Sequence, residues 1–146
     1  MGSRRKAREC ALQLLYQLDL HDSDPKRAMA HFWDQQDESV DGGTHEFSES
    51  LVAGVWEHLA EIDELIAKHS TNWKVSRMAS VDKNILRLAI YELLYMNDVP
   101  FRVTLNEAVE IAKRFGTAES SAFVNGILDH VARDHTSSDA QGEAHE

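Results

Sequence analysis

Cysteine, proline and long apolar runs are all scarce in this chain, and each scarcity excludes a class of protein. The single cysteine, Cys10, cannot form an internal disulfide, so a reducing compartment fits. Two prolines and seven glycines in 146 residues leave long stretches free to be helical, and no collagen-like or linker composition appears. No apolar run approaches the roughly 18 residues of a membrane span, and no secretory pattern opens the chain, so we expect a soluble cytoplasmic protein. Glycine-rich phosphate loops and dinucleotide fingerprints are missing. The eight histidines show no zinc-like spacing, and His130 and His135 stand five apart, wrong for one helical face. Positive charge is also short: the net charge is −10. Taken alone, that balance argues against a nucleic-acid binder.

The charge is uneven, however. Arg4, Arg5, Lys6 and Arg8 lie within the first eight residues, and without those four charges the rest of the chain carries −14. Cations at a helix N-terminus oppose the helix dipole by about 0.3–1 kcal/mol each when exposed. Such a cluster points to an external anion, and phosphate is the obvious class.

The chain is organised around 81–97, which reads as one long helix. Ile85, Leu86, Leu88, Ala89, Ile90, Leu93, Leu94 and Met96 are too many for a single stripe, so other helices should pack on several of its sides. Asp82, Lys83, Asn84, Arg87 and Glu92 interrupt it. Ser80 is the expected N-cap, and Asp98, Val99 and Pro100 close the helix. Upstream, 3–20 predicts a helix with Ala7, Cys10, Ala11, Leu14, Leu15 and Leu18 inward. There Cys10 reads as a small buried hydrophobe. After a turn at 22–25, Pro25 opens a short helix to Gln36, followed by a loop over 37–43. Residues 44–69 predict one helix, with Gly54 a close-approach site. A short connection containing Trp73 leads to the central helix. Downstream, Thr104-Leu-Asn-Glu107 has the form of a capping box and Gly116 that of a helix stop. Thr117 is expected to open the last helix, with Phe123, Val124, Ile127, Leu128 and Val131 inward and Gly126 at another close approach. From about Asp134 the tail is polar and acidic, with the composition of a disordered segment. The fold class is therefore all-α, and no catalytic constellation stands out. Paired carboxylates such as Glu61 and Glu64 read as a wetted helix face. Tyr16, below the basic arm, could stack on a base of single-stranded RNA, an interaction worth about 1–3 kcal/mol per base. Tyr91, Tyr95 and Phe123 are further aromatics that could be partly exposed.

Several segments resemble the NusB family of bacterial transcription antitermination factors. They are Arg4-Arg-Lys-Ala-Arg-Glu-Cys-Ala-Leu-Gln-Leu-Leu-Tyr16, Asp82 through Tyr95, Asp98-Val-Pro100, Asn106-Glu-Ala-Val-Glu-Ile-Ala-Lys113, Phe115-Gly116 and Phe123-Val-Asn-Gly-Ile-Leu-Asp129. The segments cover about half the chain in the family's order. The resemblance implies a single domain over 1–134, built from two small bundles of six to seven helices, with an acidic tail over 135–146. It implies a non-enzymatic factor, without cofactor or metal, that binds boxA single-stranded RNA together with ribosomal protein NusE within the RNA polymerase antitermination complex. By position, the RNA surface falls on Arg4, Arg5, Lys6, Arg8, Tyr16, Glu119, Ser120 and Phe123. The NusE-facing side includes Asp82 and Glu92. Ala122 departs from the family's pattern where a lysine can occur, and the acidic tail departs as well. An alternative reading is a protein-only module or homodimer with a masked RNA surface. A third, enzymatic reading rests on the similar domain of certain rRNA cytosine methyltransferases, and the absence of a catalytic domain in this chain weighs against it.

Overall fold

The computed structural model describes residues 3–21, 24–35, 42–70, 74–96 and 98–144. All seven α-helices of the described residues, and one 3₁₀ turn, follow in sequence. They are α1 (Ser3–His21), α2 (Pro25–Asp34), α3 (Gly42–Glu57), α4 (Leu59–His69), the 3₁₀ turn (Val75–Arg77), α5 (Ser80–Tyr95), α6 (Phe101–Phe115) and α7 (Ser120–Ala144). α5 is the shared wall of two small bundles: it packs on α1 and α3 on one side and on α4, α6 and α7 on the other. This is the arrangement its all-round apolar surface requires. Ile85, Leu86, Leu88, Ala89 and Ile90 are all buried, and burying a large aliphatic side chain stabilises by about 1.5–3 kcal/mol.

Polar residues of α5 are buried too, and each has partners. Arg87 reaches Asp63 of α4 through Nε and Nη2, both at 2.9 Å, and donates from Nη1 to Asn84 Oδ1 at 3.0 Å. Its Nη1 also lies 3.6 Å from Asp19 of α1. Asp19 in turn accepts from Ser80 Oγ at 2.6 Å and pairs with Lys83 at 2.9 Å. One part-buried node, centred on the buried Arg87, therefore joins α1, α4 and α5. Burial raises the Asp19 pKa, but the hydrogen bonds from Ser80 and Lys83 and the Arg87 charge outweigh it and hold the carboxyl below its ordinary value.

Local details depart from the sequence reading. The helix expected over 44–69 breaks at His58, which adopts φ −108°, ψ 21°. The hydrogen bonds from His58 N to Gly54 O and from Ile62 N to His58 O survive at 3.1 and 3.0 Å. Apolar spacing thus runs through the kink undisturbed, while the His58 ring stacks on Tyr95 at 4.1 Å. Ser80 is not the N-cap of α5. Ala79 holds that position, and the Ser80 hydroxyl turns to Asp19 instead. The capping box at Thr104 does not form, because α6 already starts at Phe101 behind Pro100. The Thr104 hydroxyl is buried without a hydrogen-bond partner among the described residues, and Glu107 is recruited by α1. α7 opens at Ser120 rather than Thr117. The Ser120 hydroxyl accepts from the Thr117 backbone N–H at 2.8 Å. α7 runs to Ala144, into the segment whose composition is that of an acidic tail.

Gly54 is a close-approach site as expected: a Cβ there would overlap the ring of Tyr91. Gly126 is not, since a Cβ would meet nothing within 4 Å. Gly116 ends α6 with φ −98°, not in the left-handed region. It is needed for space, because a Cβ would meet the Ser120 side chain and, at 2.8 Å, the Ala112 carbonyl oxygen. The 22–23 turn, the 36–41 part of the expected short helix and loop, Trp73 and Asn97 lie outside the described residues.

Candidate nucleic-acid interface

α1 carries the candidate site. Arg5, Glu9, Leu12 and Tyr16 recur at helical spacing and share one face. Opposite them, α6 presents Glu107, Ile111, Arg114 and Phe115. Two ion pairs cross the gap. Arg5 donates from Nε and Nη2 to the two carboxylate oxygens of Glu107, both at 2.9 Å. Arg114 Nη1 donates to Glu9 Oε2 at 2.6 Å. Three depressions follow one another along this seam. A groove of about 620 Å³ is lined by Arg4, Arg5, Lys6, Arg8, Val103 and Glu107, among others. The next, of about 240 Å³, shares Arg5 and Glu9 with it and adds Lys113 and Arg114. The last, of about 330 Å³, lies between Tyr16, Gln13, Gln17, Val81 and Phe115. The seam thus runs from a cationic mouth to an aromatic end.

The predicted residues divide by burial. Arg4, Arg5 and Lys6 are exposed at the mouth. The Arg4 guanidinium lies 3.9 Å from the centroid of the Phe47 ring on α3, a cation–π contact that braces it without neutralising it. Tyr16 is 39% exposed at the aromatic end. Glu119 is exposed at the start of α7, and Phe123 is half-buried against the core. Arg8, Glu92 and Ser120 are placed differently. Arg8 is 5% exposed and Glu92 2%. Arg8 Nε and Nη2 donate to the Glu92 carboxylate at 2.9 and 2.6 Å. This pair joins α1 to α5 under the groove and presents no free charge to a partner. Ser120 is buried as the first residue of α7, its hydroxyl turned back to the Thr117 backbone N–H. Asp82 is half-buried in the first turn of α5, and its Oδ1 has no hydrogen-bond partner among the described residues.

Glu107, Glu9, Arg114, Phe47 and Phe115 also belong to this surface, and sequence reasoning missed them as such. Glu107 reads as a cap in the sequence, because pairings across a hundred residues leave no local trace. The contact with Arg5, chiefly its hydrogen bonds, holds the Glu107 pKa below its ordinary value and raises that of Arg5. Among the described residues no group of His, Cys, Asp and Glu could hold a metal ion, and no helix is long and apolar enough to cross a membrane.

Comparison with known proteins agrees with this geometry. Residues 5–133 match the NusB family. The chain is 50% identical over 134 residues to the transcription antitermination protein NusB of Myxococcus xanthus, covering 90% of this chain and 96% of that one. It is 47% identical over 131 residues to the Bacillus subtilis protein of the same name, covering 90% and 95%. Among solved structures, T. maritima NusB superposes with a TM-score of 0.82 at 40% identity, covering 89% of this chain and 90% of that one. A chain from a crystal structure of antitermination factors NusB and NusE in complex with dsRNA superposes with a TM-score of 0.83 at 26% identity, covering 92% and 98%. The family match and these relatives, with two helical bundles sharing one central helix, place the chain among the bacterial transcription antitermination factors. The chain belongs to the NusB family.

Proposed function

We propose that this protein is a non-catalytic adaptor that binds the boxA segment of nascent RNA together with ribosomal protein NusE, within the RNA polymerase antitermination complex. The observation that carries the reading is the seam itself: Arg4, Arg5 and Lys6 at one end and the exposed Tyr16 ring at the other. In this reading phosphates lie at the mouth and a base stacks on Tyr16, with Glu119 and Phe123 beside the far end. Asp82, one residue from Val81 at that end, is half-buried with its Oδ1 inaccessible, and the accessible part of its carboxylate sets a negative charge there for a basic partner. A basic ribosomal protein also answers the charge problem. A body carrying −10 repels RNA beyond the immediate contact, and a cationic partner beside it offsets the repulsion. Arg8 supports this surface from below through Glu92, and Ser120 through its hydrogen bond to Thr117 ahead of α7.

The test is the triple variant Arg4→Ala, Arg5→Ala, Lys6→Ala in a labelled-RNA titration across salt. Losing phosphate contacts should weaken binding for all sequences alike and flatten the salt dependence by roughly 0.7 per lost contact in the log–log slope for a single strand. An unchanged slope contradicts the assignment of the mouth.

A further inference from the structure

Two of the cations of the mouth are held by the protein's own carboxylates. Of the four cations that line it, Arg8 is neutralised internally by Glu92 and Arg5 is clamped by Glu107. The clamp has both prongs of the guanidinium edge on both carboxylate oxygens at equal distances of 2.9 Å, the geometry in which a phosphate would hold the same edge. Its two sides differ in freedom. The Arg5 side chain is 52% exposed, whereas that of Glu107 is 18% exposed. The carboxylate is therefore the better-held group and the guanidinium the one free to swing toward a ligand. Glu107 sits in the second turn of α6, whose start is fixed behind Pro100.

We propose that Glu107 is a specificity-determining residue of this groove: a resident anion that a ligand phosphate must displace from Arg5. The inference rests on the RNA reading above for its ligand class. Exchanging one carboxylate for one isolated phosphate gains little, because the ion pair lost resembles the one formed. A chain of phosphates differs. While one phosphate replaces Glu107 on Arg5, its neighbours reach Lys6 and Arg4, which no displaced group has to leave. Glu107 thus makes the groove discriminate against lone anions and in favour of ligands with closely spaced phosphates. This suits an acidic protein in a cell rich in small phosphates, and it makes the site salt-tolerant. Salt weakens the internal pair as well as the external one, so the two effects partly cancel.

The decisive variant is Glu107→Gln, which keeps the shape and one acceptor but removes the charge. Glu110→Gln is the control: an exposed carboxylate on the same helix, beside Lys113 and off the Arg5 clamp. With a short labelled single-stranded RNA, Glu107→Gln should bind about two- to fivefold tighter than the native protein, the range of an exposed ion pair, with a salt slope steeper by up to roughly 0.7. Glu110→Gln should change affinity by less than half as much on a logarithmic scale. Equal gains in the two variants, or no gain in Glu107→Gln, overturn the proposal, since net charge alone then explains the result. A second arm needs no RNA. Inorganic tripolyphosphate and orthophosphate are titrated while the Arg5 Nε–H resonance is followed by NMR. In the native protein tripolyphosphate should shift it and orthophosphate should not at matched phosphate concentration. In Glu107→Gln both should. If orthophosphate moves Arg5 equally in both proteins, Glu107 sets no threshold. If neither protein binds RNA but the tripolyphosphate contrast holds, the RNA reading falls and the role of Glu107 stands.

Discussion

Replacing Glu92 with Ala should be among the most damaging single substitutions in this protein. Arg8 and Glu92 are both nearly inaccessible, and the guanidinium meets the carboxylate through contacts of 3.2, 2.9 and 2.6 Å. Around them stand Ile85, Leu88, Ala89, Ala108 and Ile111. Removing the carboxylate leaves a guanidinium uncompensated in that setting, which costs about 3–5 kcal/mol. A domain of this size is stable by about 5–15 kcal/mol in total, so the loss is a large fraction. The thermal midpoint should fall by roughly 10–15 °C. Replacing both partners, Arg8→Met with Glu92→Leu, removes two desolvated charges together and should restore most of the loss. Urea and thermal unfolding followed by circular dichroism at neutral pH, with an unchanged denaturant slope, supply the comparison. A Glu92→Ala penalty below about 1 kcal/mol, or a double variant no more stable than the single one, would refute the reasoning. The double variant also separates two roles of the arm. If Arg8 is a support, that protein keeps its RNA affinity while the Arg4, Arg5 and Lys6 variant loses it.

Three further outcomes follow from the same geometry. Gly54→Ala should destabilise by about 1–3 kcal/mol, because the added methyl overlaps the Tyr91 ring, whereas Gly126→Ala should be neutral or stabilising in thermal unfolding; equal effects at the two sites contradict the packing described. Because the Asp19 carboxyl is held below its ordinary range in the fold, the unfolded chain takes up that proton first on acidification. Its contribution is complete above about pH 4–5 and is lost as pH falls through the depressed value, so Asp19→Asn should flatten the acid limb of urea midpoints between neutrality and pH 3. Asp82→Lys should weaken binding of NusE by setting like charges together at the aromatic end of the seam, and unaltered binding in calorimetry places NusE elsewhere.

How much of this was legible in the chain depends on the range of the interaction. The apolar content of α5 sufficed to place it in the core with helices on several sides, and Cys10 and Gly54 were readable because burial and close approach leave marks in local spacing. The break at His58 left none. A one-residue distortion that keeps its flanking hydrogen bonds also keeps the apolar period. Thr104 and Glu107 have the spacing of a cap, but Pro100 starts the helix earlier and Arg5 claims the carboxylate. The basic arm was visible as charge, but which of its cations are free was not. The partners that decide it, Glu92 for Arg8 and Glu107 for Arg5, are 84 and 102 residues away. A run of like residues in the sequence thus resolves into three kinds: Arg4 and Lys6 exposed, Arg5 clamped and Arg8 buried. The buried Ser120 shows the same limit, because its role depends on where α7 begins.

We propose above that the seam on α1 holds boxA RNA jointly with NusE. The most direct measurement is fluorescence anisotropy of a labelled boxA RNA titrated with this protein, with and without NusE, beside a scrambled RNA of equal length. The account predicts a preference for boxA that tightens when NusE is present, with RNA raising the affinity for NusE by the same factor. Equal affinity for boxA and scrambled RNA under both conditions would contradict it.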